Sequence, residues 1–266
     1  MSDRKLTLDE IRAFWTQQAK EHGVSPAASW SDFPVIDLEI RALAARIADG
    51  DSVLDVGCAN GYSTLQLASQ RRAKFRGVDY IPEMVAQAKV RHAELEGRLL
   101  GEAEFDVGDI MDLKEPGAAY DKVVVVRVVI NLGDWARQAR ALKECARVVR
   151  PGGLLLLSEA TLQGWRRMNA LRTEWGLPEI GMPGFNTYLD EDAVVEAVKP
   201  ELELVEIVNF ASTYFVLTRV LKPLLATATG APVNVIDPAS EFNRWASAAP
   251  AFGDYGTQKL FVFRRI

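Results

Sequence analysis

Between residues 50 and 160 the chain alternates short apolar segments of strand length with stretches of helical periodicity, and this alternation restricts the fold more than any other feature. Residues 52–56, 74–78 and 103–107 read as strands, 122–126 is a near-continuous β-branched run, and 154–157 follows the turn Pro151-Gly-Gly153 as a fifth strand. Helices are expected from near Gly61 through Leu65, Leu67 and Ala68, over 82–96 with Pro82 in the first turn, and over about 134–149. Strands that alternate with helices pair in parallel through right-handed crossovers, and a β-branched run such as 122–126 belongs in a strand covered on both faces.

Flanking segments extend this core. In residues 1–48, Leu8, Ile11, Phe14, Trp15 and Gln18 recur at helical spacing, Gly23-Val-Ser-Pro26 breaks the pattern, and Ile36, Ile40, Leu43 and Ile47 resume it. After the fifth strand a helix is expected over about 164–175, then a Gly/Pro-rich turn over 176–184, a helix capped by Asp190 and a strand over 202–208. An excursion rich in aromatics, Pro and Ala precedes a last strand over 259–263, read as an antiparallel edge partner. The expected fold is α/β, a doubly wound seven-stranded sheet, mostly parallel with an antiparallel C-terminal edge strand, plus helical lid insertions. One domain is expected over 1–266. Within it 1–48 is a helical lid, 49–160 the cofactor-binding core, and 160–200 and 210–256 substrate-lid insertions above the carboxyl edge of the sheet.

Composition removes several classes of function. The longest apolar stretch, 123–132, is broken by Arg127 and falls short of the ~18–20 residues of a membrane span. The opening Met1-Ser-Asp-Arg-Lys5 has no apolar leader core behind it. Two distant cysteines, Cys58 and Cys145, make neither a disulfide framework nor a zinc site, so a reducing cytoplasm is the expected location and no metal site is expected. A net charge of −5 without a long basic run argues against nucleic acid as the partner.

The strongest local signal is Val53-Leu-Asp-Val-Gly-Cys-Ala-Asn-Gly61, a Gly-bearing turn leaving the first strand. In an open parallel sheet ligands bind beyond the carboxyl ends of the strands, where glycines allow close backbone approach and a helix start supplies amide donors. A nicotinamide fingerprint, G-x-G-x-x-G, would place glycines where Gly57, Ala59 and Tyr62 stand, so two of its three positions fail.

This turn resembles the first motif of the class I S-adenosylmethionine-dependent methyltransferases, V-L-D-x-G-C-G-x-G, departing from it at Ala59; the resemblance covers about 50–160 and points to the small-molecule type. It implies S-adenosylmethionine as cofactor, with Asp55, Gly57, Cys58, Ala59 and Gly61 in the binding turn. Asp79, closing the second strand, would accept both ribose hydroxyls. Gly108, Asp109 and Ile110 would hold the adenine, with Tyr80, Ile81 and Met84 on its other face. Arg150-Pro-Gly-Gly153 also resembles the family. Residues after the fourth strand, 127–135, would face the transferred methyl. Arg127 there is expected to pair with the cofactor carboxylate, an anionic substrate or a structural Asp, and Asn131 either anchors an acceptor hydroxyl or starts a helix.

His22 is the base expected by residue type, with Asp134 and Glu159 as alternatives, while His92 is read as a packing residue and Phe14 and Trp15 as lid or core. Trp165, Asn169 and Arg172 share a helix face and, with Asn186 and Tyr188, suggest a polar acceptor such as a sugar or natural product. The reading is therefore methyl transfer to a small polar molecule, most readily at oxygen. Its alternatives are C- or N-methylation of an anion such as a prenyl diphosphate clamped by Arg166, Arg167 and Arg172, a nicotinamide-dependent oxidoreductase, and a cofactor-binding module without turnover. The expected partners are a small-molecule substrate and a second copy of the chain in a homodimer, without nucleic acid or membrane.

Overall fold

The sheet has the strand order β3-β2-β1-β4-β5-β7-β6. Its strands are β1 (Ser52–Val56), β2 (Lys74–Asp79), β3 (Glu102–Val107), β4 (Tyr120–Val126), β5 (Val149–Ala160), β6 (Leu202–Val208) and β7 (Gln258–Arg265). The structure, a computed structural model, describes residues 5–230 and 232–266. The opening four residues, part of the segment read as leaderless, lie outside the described residues, as does Ala231 in the aromatic excursion. β1 pairs in parallel with β2 on one side and β4 on the other. Chain order therefore reverses beside β1, and a crevice opens beyond the carboxyl ends of β1 and β4.

Period-two alternation along the strands builds a helical layer on each face. Leu54, Val123, Val125, Leu155, Leu157, Phe261 and Phe263 face one way, against α5 (Trp135–Val148) and α7 (Glu191–Val198). Val53, Val124, Leu156, Leu260 and Val262 face the other, against α2 (Phe33–Ala44) and α6 (Leu162–Glu174). Of the remaining N-terminal elements, α1 (Leu8–His22) starts with a reciprocal capping box between Thr7 and Glu10, while α3 (Tyr62–Ala68) and α4 (Pro82–Glu94) follow β1 and β2.

The sheet is seven-stranded and mostly parallel, as expected, and β7 is antiparallel. It does not lie at the edge, however: it pairs with both β5 and β6, leaving β6 outermost. The reason is legible in the side chains. Leu260 to Phe263 are four consecutive buried apolar residues, the pattern of a strand covered on both faces, whereas β6 carries exposed Glu203 and Glu206 and a bulge, features that blunt a sheet edge.

The excursion before β7 folds into α8 (Ser212–Val216), a π-helical turn (Leu217–Leu221), α9 (Lys222–Thr229) and α10 (Glu241–Ala248). Pro223 sits in the first turn of α9, a left-handed Gly230 ends it, and Ser240 caps α10 by accepting from Asn243 N. Tyr214, Phe215, Val220 and Ala246 pack into the core layer shared with α2. The excursion is thus part of one face of the sandwich, rather than a cover over the carboxyl edge, because its aromatic residues find their burial against α2 and the sheet.

Candidate active site

A cavity of about 320 Å³ opens at the carboxyl ends of β1, β2 and β4. Its wall draws on the turns after these strands and after β3, and on Leu8, Asp9, Ile11, Arg12 and Trp15 of α1. Among the expected lids only the N-terminal helix borders it. No described residue from 160–200 or 210–256 lies on the wall.

The turn after β1 is shaped by left-handed residues and by its neighbour strand. Gly57 (φ +79°) and Gly61 (φ +72°) bracket it, and Ala59 (φ +47°) adopts the same region, where the motif more commonly has glycine. Gly57 N and Cys58 N both donate to Val78 O, at 2.7 and 3.1 Å. Asp79 then ties two loops together, its carboxylate accepting from Ala59 N and from Ile81 N at 2.8 Å each. Asp55 accepts from Thr64 Oγ1 beneath the turn. Asp109 Oδ1 accepts from Met111 N at 2.8 Å, and Ile81, Met84 and Ile110 supply a buried apolar slot. Tyr80 is exposed and lies under the Arg12 guanidinium, 4.7 Å from its ring centre.

Every residue expected to hold the cofactor lies on this wall except Gly61, which starts α3 from behind: a Cβ there would press on Ala88 and the Phe105 ring at 3.0 Å. Burial pushes the carboxyls of Asp55 and Asp79 up to about 6, against the hydrogen bonds that lower them, and raises the Cys58 thiol, which is therefore protonated packing. The donor set fits S-adenosylmethionine: a strand-end carboxylate for vicinal hydroxyls and an apolar slot for a purine.

Arg127, the residue after β4, has φ +56° and pairs with Glu39 of α2 while lying 5.0 Å over the Trp30 ring. Of the partners expected for it, a structural acid is the one present, and that acid is a Glu. Glu39 also accepts from Ser158 Oγ and, at 3.3 Å, from Gln258 Nε2. Neither Glu39 nor Trp30 was singled out in the sequence, although Glu39 stands on the apolar face of Val35, Ile36, Ile40 and Leu43, where an acid needs a buried partner.

Asn131 lines the cavity, donates to Arg127 O at 2.7 Å and keeps a buried Oδ1 without a hydrogen-bond partner among the described residues. The expected bases stand elsewhere. His22 is an exposed residue ending α1 and does not reach the wall, because the helix buries only Ile11 and Ala19 and turns its last residue outward. Asp134 caps α5 and pairs with Arg137 at 2.7 Å. Glu159, fully buried behind the wall, accepts from Val128 N and Val129 N at 2.8 and 2.7 Å, and burial pushes it up to about 8. It holds the turn after β4. His92 packs edge-on to Phe105, centroids 6.0 Å apart, as expected.

The polar helix face expected to bind substrate binds the chain itself. Trp165 Nε1 and Asn169 Nδ2 donate to Ile180 O at 2.8 and 3.1 Å, and Arg172 donates to Pro178 O at 2.8 Å and to Arg219 O. These three residues fasten the 176–184 turn, whose carbonyls lack strand or helix partners. Asn186 and Tyr188 also lie off the wall. Arg167 pairs with Asp254, so the expected arginine clamp does not assemble at the cavity.

The model of the methyltransferase domain family matches residues 53–153. A probable S-adenosylmethionine-dependent methyltransferase of Mycolicibacterium smegmatis is 36% identical over 118 residues, 44% of this chain and 41% of the relative. The 27-O-demethylrifamycin SV methyltransferase of Amycolatopsis mediterranei is 30% identical over 116 residues, 42% of this chain and 40% of the relative. The match thus spans about two fifths of these relatives' length. Magnesium protoporphyrin IX methyltransferase from Synechocystis, solved with bound SAH, superposes with a TM-score of 0.55 at 16% identity over 87% of this chain and 82% of that one, a likeness of fold alone. Residues 53–153, which build the turn after β1, the strand-end acids and the switch point, match a methyltransferase domain, and through this region the chain is similar to S-adenosylmethionine-dependent methyltransferases.

Proposed function

We propose that the protein transfers the methyl group of S-adenosylmethionine to a hydroxyl oxygen of a small molecule whose body is largely apolar. The observation that carries this reading is the division of the cavity wall. One part holds Asp55, Asp79, Asp109 and the slot of Ile81, Met84 and Ile110; toward α1 and the turn after β4 the wall carries Leu8, Ile11, Trp15, Val128 and Leu132, with Asp9, Arg12 and the amide of Asn131 as polar groups among them. A wall of that kind favours a hydroxyl on an apolar framework over the sugar or anion that the face of α6 had suggested. O-methylation agrees with the name of the rifamycin relative, a 27-O-demethylrifamycin SV methyltransferase.

S-adenosylmethionine supplies an activated methyl on a sulfonium. The chain's residues then orient and exclude water: Asp79 accepts from the ribose hydroxyls, Asp109 accepts from the adenine amine, and Trp15 and Ile11 close the side of the cavity facing α1. Asn131 Oδ1 accepts from the acceptor hydroxyl and aims its oxygen. With neither histidine on the wall, the acceptors favoured are those whose hydroxyl loses its proton readily to solvent, such as phenols and enols, the oxygen taking the methyl as the carbon–sulfur bond breaks and S-adenosylhomocysteine leaves. Isothermal titration should show binding of S-adenosylhomocysteine to the protein and its loss in Asp79→Ala; binding of a nicotinamide dinucleotide in its place would sink the assignment.

A further inference from the structure

Phe185, which lies off the cavity wall, has an arrangement that a mere loop residue does not need. Its ring stacks on Phe14, centroids 4.8 Å apart at 20°, and meets Trp15 edge-on at 5.8 Å, while Phe14 and Trp15 meet each other edge-on at 5.0 Å. Only Trp15 of the three reaches the cavity. The flanking residues reinforce the contact, with Leu6 N donating to Gly184 O at 3.0 Å and Lys5 Nζ to Thr187 Oγ1 at 2.9 Å.

The same segment is bonded to the turn after β4. Thr187 N donates to Ile130 O at 2.7 Å, Thr187 Oγ1 to Gly133 O at 3.0 Å, and Gln138 Nε2 bridges Thr187 O and Val129 O at 2.7 and 3.2 Å. Residues 184–187 therefore join the helix on one side of the cavity to the turn that carries Asn131 on the other. α1 also rests on the start of α4, where Ala19 and Trp15 pack with Ile81 and Met84 and Arg12 meets Tyr80, and its far end is tied by Asn60 Nδ2 donating to Gly23 O and Ser25 O at 2.9 and 2.7 Å.

We infer that Phe185 is a positioning residue of the transfer site: acting through Trp15, it seats α1 against the cavity and so sets how tightly the cofactor is enclosed. The inference rests on the cofactor reading above. An aromatic stack of this kind contributes enough for its loss to weaken a coupled equilibrium about tenfold.

The test compares wild type with Phe185→Leu, which keeps bulk without the stack, and Phe185→Tyr, which keeps the stack. Tryptic cleavage after Arg12 and Lys20 is followed by mass spectrometry with and without S-adenosylhomocysteine, and affinity for that ligand is titrated. In Phe185→Leu, cleavage of α1 should quicken about tenfold relative to cleavage elsewhere, ligand protection should shrink and affinity should fall about tenfold; Phe185→Tyr should restore all three. A purely structural role would lower the melting temperature without changing the ligand-protected fraction at α1. Wild-type rates and affinity in Phe185→Leu would overturn the inference. Failure of wild type to bind S-adenosylhomocysteine would overturn the cofactor reading instead, while the ligand-free cleavage rates still decide whether Phe185 seats α1.

Discussion

Asp79 is a scaffold in the structure and the ribose acceptor of the proposed site, and the two duties bear on its chemistry. Its oxygens gather the amides of Ala59 and Ile81, which brings the turn after β1 and the start of α4 to a fixed separation, and burial leaves the carboxyl titrating near 6 instead of near 4. Only the ionised form accepts from hydroxyl donors without restriction. Affinity for S-adenosylhomocysteine should therefore weaken as pH falls from 7.5 to 5, and Asp79→Asn should bind weakly with a flatter profile; titration calorimetry across that range checks it. Arg127 shows the opposite case. Its charge is satisfied internally by Glu39, so the residue stiffens the wall through its backbone, with φ +56° just after β4, and offers Asn131 a carbonyl to hold.

The turn after β1 is an element in which steric room and backbone sign are both used. A Cβ on Gly57 would come within 2.1 Å of Val128 Cγ2, and the residue's φ of +79° disfavours any side chain. Gly57→Ala should lose roughly 2–4 kcal/mol of stability from overpacking and strain together, along with cofactor binding. Ala59 lies in the same left-handed region with no gain in hydrogen bonding from its methyl. Ala59→Gly should therefore stabilise the protein by about 1 kcal/mol. Urea unfolding of the two variants, read at constant m-value, gives both numbers. The turn after β4 is held differently, by the Glu159 carboxylate and the Gln138 amide, because its own backbone groups have no ladder to join.

Across the whole molecule, burial of acids at the carboxyl edge of the sheet gives stability a characteristic pH dependence. Asp55 and Asp79 rise from about 4 to about 6 and Glu159 from 4.5 to about 8, all chiefly through desolvation. Each binds its proton more tightly folded than unfolded, so between the unfolded and folded values the folded state holds the extra proton and stability declines as pH rises. Asp121, held low by its Ser52 bonds and by Arg150, acts only below this window. The melting temperature should fall steadily from pH 5 to pH 8, and Glu159→Gln should remove most of the decline above pH 6; a scanning calorimeter series decides it.

Much of the sheet, and the gathering of Asp55, Gly57, Asp79 and Asp109 at one cavity, was legible in the residues alone, because both are written at short range. The β-branched run before Arg127 marks a doubly covered strand wherever it sits, and Asp55, Gly57, Asp79 and Asp109 stand at strand ends, which sequential crossovers must bring to one edge. The partners of buried polar groups were not legible. Trp165, Asn169 and Arg172 share a helix face by spacing, but spacing says nothing of what the face meets, and the carbonyls of Pro178, Ile180 and Arg219 claim it. Glu39 finds Arg127, Phe185 finds Phe14 and Trp15, and β7 slips between β5 and β6 across long separations in the chain. The sequence by itself determined the fold class and the Gly-bearing turn after β1, since periodicity and turn geometry are local properties. Only the tertiary structure decided which helix closes the cavity and which polar groups stay with the scaffold, since these depend on how distant surfaces compete for the same burial.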